Sequence, residues 1–257
     1  MCTLVLLRHV HPSWPLVVAA NRDEFFDRPA TPPGILNREP LVFGGKDLKA
    51  GGTWFGVTSH GFFAGLTNQR LVQLPAQASR SRGELVFEVL RHGNIGSAME
   101  WLRKQDPSEF NAFNLVFGDC HEQVLAYGRA DWRFERAPDG ISVLPNDELD
   151  SADFPKVERA KWFGDRLPTD ENGFLEGVQR MLADTTCPEQ YPDWGGPFDP
   201  DFQRRLHALC VVTPSYGTRS STIVALQPGR VDRYLHADGP PNETAFLNYA
   251  VPDVERP

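Results

Sequence analysis

Short apolar runs separated by turn formers dominate the chain, and their period changes from two to about four and back again. Cys2 to Arg8 and Leu16 to Arg22 are β-rich runs. Between them, Pro12 and Pro15 within His9 to Pro15 break any helix and favour a turn, which predicts an opening hairpin. Phe26 to Gly52 is rich in Pro and Gly and reads as a long surface loop, a length that in a compact domain points to a functional lid or rim. Thr53 to Val57 and Phe62 to Thr67 predict a second hairpin around Ser59-His60-Gly61. Ser81-Arg82-Gly83-Glu84 is a capping-box pattern ahead of Leu85, Val86, Val89 and Leu90, which fall on one helical stripe. A second helix is expected over Ile95 to Lys104.

Four further strands, Asn114 to Gly118, Val124 to Gly128, Trp132 to Glu135 and Ile141 to Leu144, read as an antiparallel meander. Helical spacing returns over Pro155 to Leu167 and Gly173 to Ala183. A break follows at Tyr191 to Pro200, then a short helix around Phe202 to Leu209 and strands at Ser221 to Leu226 and Arg230 to Leu235. Blocks of strands and blocks of helices, rather than alternating βαβ units, place the chain in the α+β class, with antiparallel sheets sandwiched between helix pairs. No composition shift or fixed-period repeat marks a linker, so one domain over residues 1–257 is expected.

Composition narrows the function. The 257 residues are 40% hydrophobic and 11% aromatic, enough for a sizeable core. With 26 basic against 34 acidic residues and a net charge of -8, a nucleic-acid partner is not expected. No run approaches the roughly 20 apolar residues of a membrane span. The opening Met1 to Arg8 has neither a basic leader region nor a small-residue cleavage site, so no export signal is read. Cys2, Cys120, Cys187 and Cys210 lie far apart with no CxxC pair, which fits a reducing cytoplasm.

Cys2 carries the sharpest chemical possibility. A small residue after the initiator Met permits Met removal, leaving one residue with both a thiol and a free α-amine. These titrate at about 8.5 and about 7.7 to 8.0, so proton transfer between them near neutral pH needs little tuning. The alternative is a small buried apolar residue on a strand. Asn21-Arg22-Asp23-Glu24 ends the second strand of the same hairpin, and antiparallel pairing can return it to Cys2. Arg22 would then lower the thiol pKa and hold a carboxylate, and Asp23 would orient the α-ammonium. A charged turn with a surface ion pair is the competing reading.

Met1-Cys2, Asn21-Arg22-Asp23-Glu24, Gly52-Thr53-Trp54-Phe55-Gly56-Val57, Ala64-Gly65-Leu66-Thr67-Asn68 and Ser81-Arg82-Gly83 follow one another in the chain. So do Asn114-Leu115-Val116-Phe117-Gly118-Asp119, Pro155-Lys156-Val157 and Tyr216-Gly217-Thr218-Arg219-Ser220-Ser221-Thr222. This succession resembles the Asn-Arg-Asp-Glu (NRDE) family, also called the transport and Golgi organisation protein 2 family, over nearly the whole chain. More distantly it is similar to the choloylglycine hydrolase and penicillin acylase branch of the N-terminal-nucleophile enzymes. The resemblance implies a four-layer αββα sandwich and an exposed Cys that attacks an amide. It also implies oxyanion donors at Asn68 and Asn146 and a late arginine, Arg219, facing the nucleophile and clamping an anionic substrate group. Pro145 before Asn146 departs from the family's small-residue lead-in. Taken alone, Asn68 and Asn146 are also ordinary turn residues, and Arg219 an ordinary solvated arginine. Asn114 reads as a buried strand asparagine that ties down a neighbouring loop.

Seven histidines form no HExxH and no i, i+4 pair, which argues against a metal site, although His9 and His11 would share one face of a strand. Two functions remain open. One is an N-terminal-cysteine amidohydrolase or acyl-transfer enzyme acting on a small amide, requiring no cofactor and using Cys2, Arg22, Asp23, Asn68, Asn146 and Arg219. The other, implied by the resemblance, is a non-catalytic carrier of haem or an acyl-CoA-like lipid in the same pocket, with Phe25, Phe26, Trp54, Phe55, Phe62 and Phe63 as apolar walls. Both take a small-molecule partner. A degenerate fold serving as an interaction module is the third possibility.

Overall fold

The computed structural model describes residues 2–70, 80–195 and 199–253. Met1, whose removal the thiol chemistry requires, lies outside them, as does part of the break expected before Pro200.

The opening hairpin is longer and tighter than its sequence suggests. β1 (Cys2–His11) and β2 (Trp14–Phe25) pair antiparallel down to a turn of Pro12 and Ser13. Both faces of these strands are covered, which is why the run Leu4-Val5-Leu6-Leu7 is apolar without alternation. Leu4 and Leu6 face one core and Val5 and Leu7 another. A register shift between Arg8 and His11, with His9 at φ 54°, separates the two histidines. His9 is exposed beside Asp139, whereas His11 is buried and stacked on Trp14, so they do not share a ligand face.

The sheet containing the hairpin also holds β10 (Gly140–Leu144), β11 (Tyr216–Gln227), β12 (Arg230–Ala237) and β13 (Leu247–Asn248), in the order β10-β1-β2-β11-β12-β13. A second sheet runs β3 (Gly34–Arg38), β4 (Leu41–Gly44), β5 (Phe55–Thr58), β6 (Phe63–Asn68), β7 (Phe113–Gly118), β8 (Gln123–Gly128) and β9 (Trp132–Arg136) in sequence order. One apolar cluster joins the sheets face to face through Leu4, Leu6, Phe43, Phe55 and Phe63. The outer face of the second sheet is covered by α1 (Arg82–His92) and α2 (Ile95–Leu102), and that of the first by α3 (Pro155–Gly164) and α4 (Glu171–Leu182). The layers are therefore α, β, β, α, as the order of elements implied. α5 (Pro200–Leu206), capped by Asp199, leads into β11.

Two expectations are corrected. The stretch from Phe26 to Gly52 is not all loop: Leu41-Val42-Phe43 is buried in a β3–β4 hairpin that forms the edge of the second sheet. The four-strand meander is three strands, because β10 leaves it to pair with β1 in the opposite sheet. That crossing carries the loop after β10 over the gap between the sheets, beside the start of β1.

Candidate active site

In the β1–β2 ladder Cys2 stands opposite Arg22, and on the other edge of β2 Asp23 stands opposite Thr218 of β11. The start of one strand and the end of the next thus meet at the floor of a cleft of about 100 Å³ lined by Cys2, Arg22, Asp23, Trp54, Asn68 and Arg82 among others.

Arg22 turns toward the rim. Its Nη2 lies 3.2 Å from Asp47 Oδ2 and its guanidinium stacks 4.1 Å from the Trp54 ring centroid. Asp47 also accepts Arg28 Nε at 2.7 Å and the Lys49 and Ala50 N–H groups at 3.0 and 2.9 Å, so the loop before Gly52 is tied to the end of β2. Burial alone would raise the Asp47 pKa, but these donors and the two arginines hold it below the usual carboxylate range. Asp23 lies deeper. Its Oδ1 accepts the Thr218 hydroxyl at 2.7 Å, and its carbonyl accepts the Tyr216 hydroxyl at 3.1 Å. Burial raises its pKa against the opposing pull of Lys156 and the Thr218 bond.

The Cys2 thiol is pushed up, not down. Burial is the largest cause and outweighs the opposing charge of the chain's α-ammonium; the Asp23 carboxylate adds to the rise, while the Asp23 backbone N–H and the Arg22 charge also pull it down. Arg22 lowers the thiol pKa, as expected, but burial costs the thiolate more than the neighbouring cations return.

Asn68 ends β6 at the cleft. Asn146 is buried behind it and does not line the cleft; its Nδ2 donates to the Asn68 carbonyl at 2.7 Å. The loop is held there by Asn114, whose Nδ2 donates to the Asp147 carbonyl at 2.7 Å and to Thr67 Oγ1 at 2.9 Å, as its reading as a tie predicted. Arg219 is not brought in. It occupies the register shift between Thr218 and Ser220, and its Nη1 pairs with Asp238 at 3.3 Å, away from the cleft-lining residues.

Two cations that sequence reasoning passed over bear on these residues, one at the cleft and one buried with Asp23 and Cys2 acting on its charge. Arg82 lines the cleft from the first turn of α1; its motif was absorbed into the capping pattern, which is also real, since Ser81 caps the helix by accepting the Gly83 N–H. Lys156, 1% exposed, sits in the first turn of α3 with its Nζ 3.3 Å from Thr3 Oγ1. Burial lowers its pKa, opposed by the charges of Asp23 and Cys2. A buried cation at the positive end of a helix is doubly unfavourable, so it calls for an anion nearby. The only signal in the chain was its place in Pro155-Lys156-Val157.

The rim meets the tip of α1 backbone to backbone. A Cβ on Gly52 would lie 2.4 Å from the carbonyl carbon of Gly83, and Thr53 donates its N–H to the Gly83 carbonyl at 3.2 Å. Glycine at both positions is what allows this wall to close.

A model of the family described as Transport and Golgi organisation 2 matches residues 1–234. The chain belongs to that family. The human transport and Golgi organization protein 2 homolog is 32% identical over a 237-residue alignment that covers 81% of each chain, and the mouse homolog is 28% identical over the same extent. Among solved structures, penicillin V acylase from Agrobacterium tumefaciens superposes on this Transport and Golgi organisation 2 family chain with a TM-score of 0.55 at 11% identity, covering 93% of this chain and 83% of that one. The C2A mutant of conjugated bile acid hydrolase from Clostridium perfringens gives 0.54 at 9% identity over 98% of each. The fold is therefore the α+β sandwich of the N-terminal-nucleophile hydrolases.

Proposed function

We propose that this chain is an N-terminal-cysteine amidohydrolase or acyl-transfer enzyme acting on a small amide. One observation carries the reading: Cys2 is paired with Arg22 at the floor of a cleft that also holds Asp23 and Asn68. In the chain freed of Met1, the Cys2 α-amine takes the thiol proton and the sulfur attacks the carbonyl carbon. The C–N bond then breaks as the ammonium returns its proton to the leaving amine. Water, or a second amine in acyl transfer, attacks the thioester and restores the thiol. Asn68 supplies a donor to the oxyanion, with Asn146 positioning it, and Asp23 orients the amine. Burial raises the thiol pKa, and the Cys2 α-amine is the base that this reading assigns to it.

The carrier reading, with haem or an acyl-CoA-like lipid as ligand, is the less supported. The cleft of about 100 Å³ is small beside the several hundred Å³ typical of ligand pockets. Phe55, Phe62 and Phe63, which the carrier would use as walls, are buried in the cores, leaving Phe25, Phe26 and Trp54 nearer the surface. A cytoplasmic setting belongs to the same proposal, since all four cysteines are free thiols.

Intact-mass measurement of the purified chain tests it. Loss of Met1 is expected, together with an acyl adduct on Cys2 after exposure to small activated amides and its abolition in Cys2→Ser. Retained Met1, or adducts that persist in Cys2→Ser, would overturn the reading.

A further inference from the structure

We infer that the substrate of this cleft carries a carboxylate, held by Arg22 and Arg82 beside Cys2. The inference rests on the nucleophile reading above and adds the substrate class. Arg22 is 4% exposed and lines the cleft; its Nη2 is engaged by Asp47, while its Nη1 is buried with no hydrogen-bond partner among the described residues. A buried guanidinium N–H left unmade is costly, and on a residue that lines a cleft a ligand is the partner that would relieve it.

Arg82 is the second donor. Its Nη1 reaches only the Ala112 carbonyl, at 3.3 Å, and among the described residues it has no acidic partner. The acids that line the cleft are already engaged. Asp47 is held by two arginines and two loop N–H groups. Glu24 faces Arg28 at 3.6 Å and accepts the Phe25 N–H at 2.9 Å. Asp23 accepts the Thr218 hydroxyl and is drawn on by the Lys156 charge. Two guanidiniums therefore border the cleft, one with a buried N–H unmatched and one with no acidic partner among the described residues, and burial weakens the charged form of both while the Cys2 charge opposes it.

A carboxylate suits this pair in charge and shape. The planar fork of a guanidinium matches its two oxygens, and a group of that size fits a cleft of about 100 Å³ where a phosphorylated cofactor does not. The substrate class is then a small amide bearing a carboxylate a few bonds from the scissile carbonyl.

Alkylation of Cys2 by iodoacetate and by iodoacetamide isolates this feature, because the two reagents are close in size and only the first places a carboxylate next to the reacting carbon. With the Met1-free full chain and peptide mass spectrometry to separate the four cysteines, the iodoacetate-to-iodoacetamide rate ratio at Cys2 is expected to exceed that of a free N-terminal-cysteine peptide by about tenfold or more. Arg82→Gln should bring the ratio of the two rates down toward the peptide value, whatever it does to the iodoacetamide rate alone, and Arg82→Lys should restore part of it. A parent ratio equal to that of the peptide, or one unchanged by Arg82→Gln, overturns the carboxylate inference and leaves the nucleophile standing. Failure of Cys2 to react with either reagent overturns both.

Discussion

The two ends of the β1–β2 ladder are built on opposite principles. At the turn, Trp14 is fully buried, its indole N–H donates to Asp232 at 2.9 Å, and its ring stacks on His11 at 4.5 Å between centroids. His11 in turn meets the Thr169 carbonyl at 2.9 Å and packs on Phe174. Space is filled and these polar atoms are matched. At the other end Arg22, Asp23 and Lys156 are buried together, with Lys156 in no ion pair among the described residues and Arg22 Nη1 unmatched. One hairpin thus concentrates stability at its closed end and unmatched charge at its open end, a separation that lets a rigid scaffold hold buried polar groups it does not itself favour.

The largest test of this contrast is Trp14→Ala. Removing a fully buried indole should lower unfolding free energy by about 3–5 kcal/mol in denaturant titration, while the iodoacetamide rate at Cys2 in the still-folded protein stays at the parent value. A rate that falls in step with stability would mean the two ends are not separable.

A smaller, graded effect is expected from acid. Burial holds His207 and His236 down to about 4, with the Lys156 charge adding to the effect at His207. An unfolded histidine titrates near 6.5. Above about 6.5 both states are neutral; below it the unfolded chain binds protons that the native chain refuses, so stability falls as pH drops from about 6.5 to about 4. His207 packs against Phe154, which precedes the helix carrying Lys156, and His236 meets Thr222 on β11. Hydrogen exchange over this pH range should therefore show protection lost first along β11 and the open end of β2, with the Trp14 end holding longest. Uniform loss along the ladder would count against the contrast, and His236→Gln should flatten part of the slope.

The smallest effect belongs to Arg219→Gln. Its pair with Asp238 is partly solvated, so removal should cost no more than about 1 kcal/mol and leave Cys2 alkylation unchanged. A tenfold fall in that rate would return Arg219 to the site.

Much of this was legible along the chain, for identifiable reasons. Hairpin pairing is local, so Cys2 meeting Arg22 and Asp23 followed from two apolar runs and a turn. Asn114 and the Ser81 cap were legible because their partners are set by strand and helix geometry. The β3–β4 hairpin was not, because Pro33, Gly34, Pro40 and Gly44 mask a strand pair whose burial comes from the sheet beside it. Arg219, which the resemblance implied would face Cys2, sits at the register shift between Thr218 and Ser220 and pairs with Asp238, a break in alternation that no run of residues announces. Lys156 was passed over because helical spacing cannot report a lysine buried by a strand more than 150 positions away, at Thr3.

The Gly52–Gly83 contact constrains how this molecule can be re-engineered. Where main chain touches main chain there is no side chain to shorten, so a roomier cleft cannot be obtained at that wall by substitution. Trp54 and Leu66 are the apolar lining positions with bulk to lose, and a designer seeking a wider cleft would begin with them.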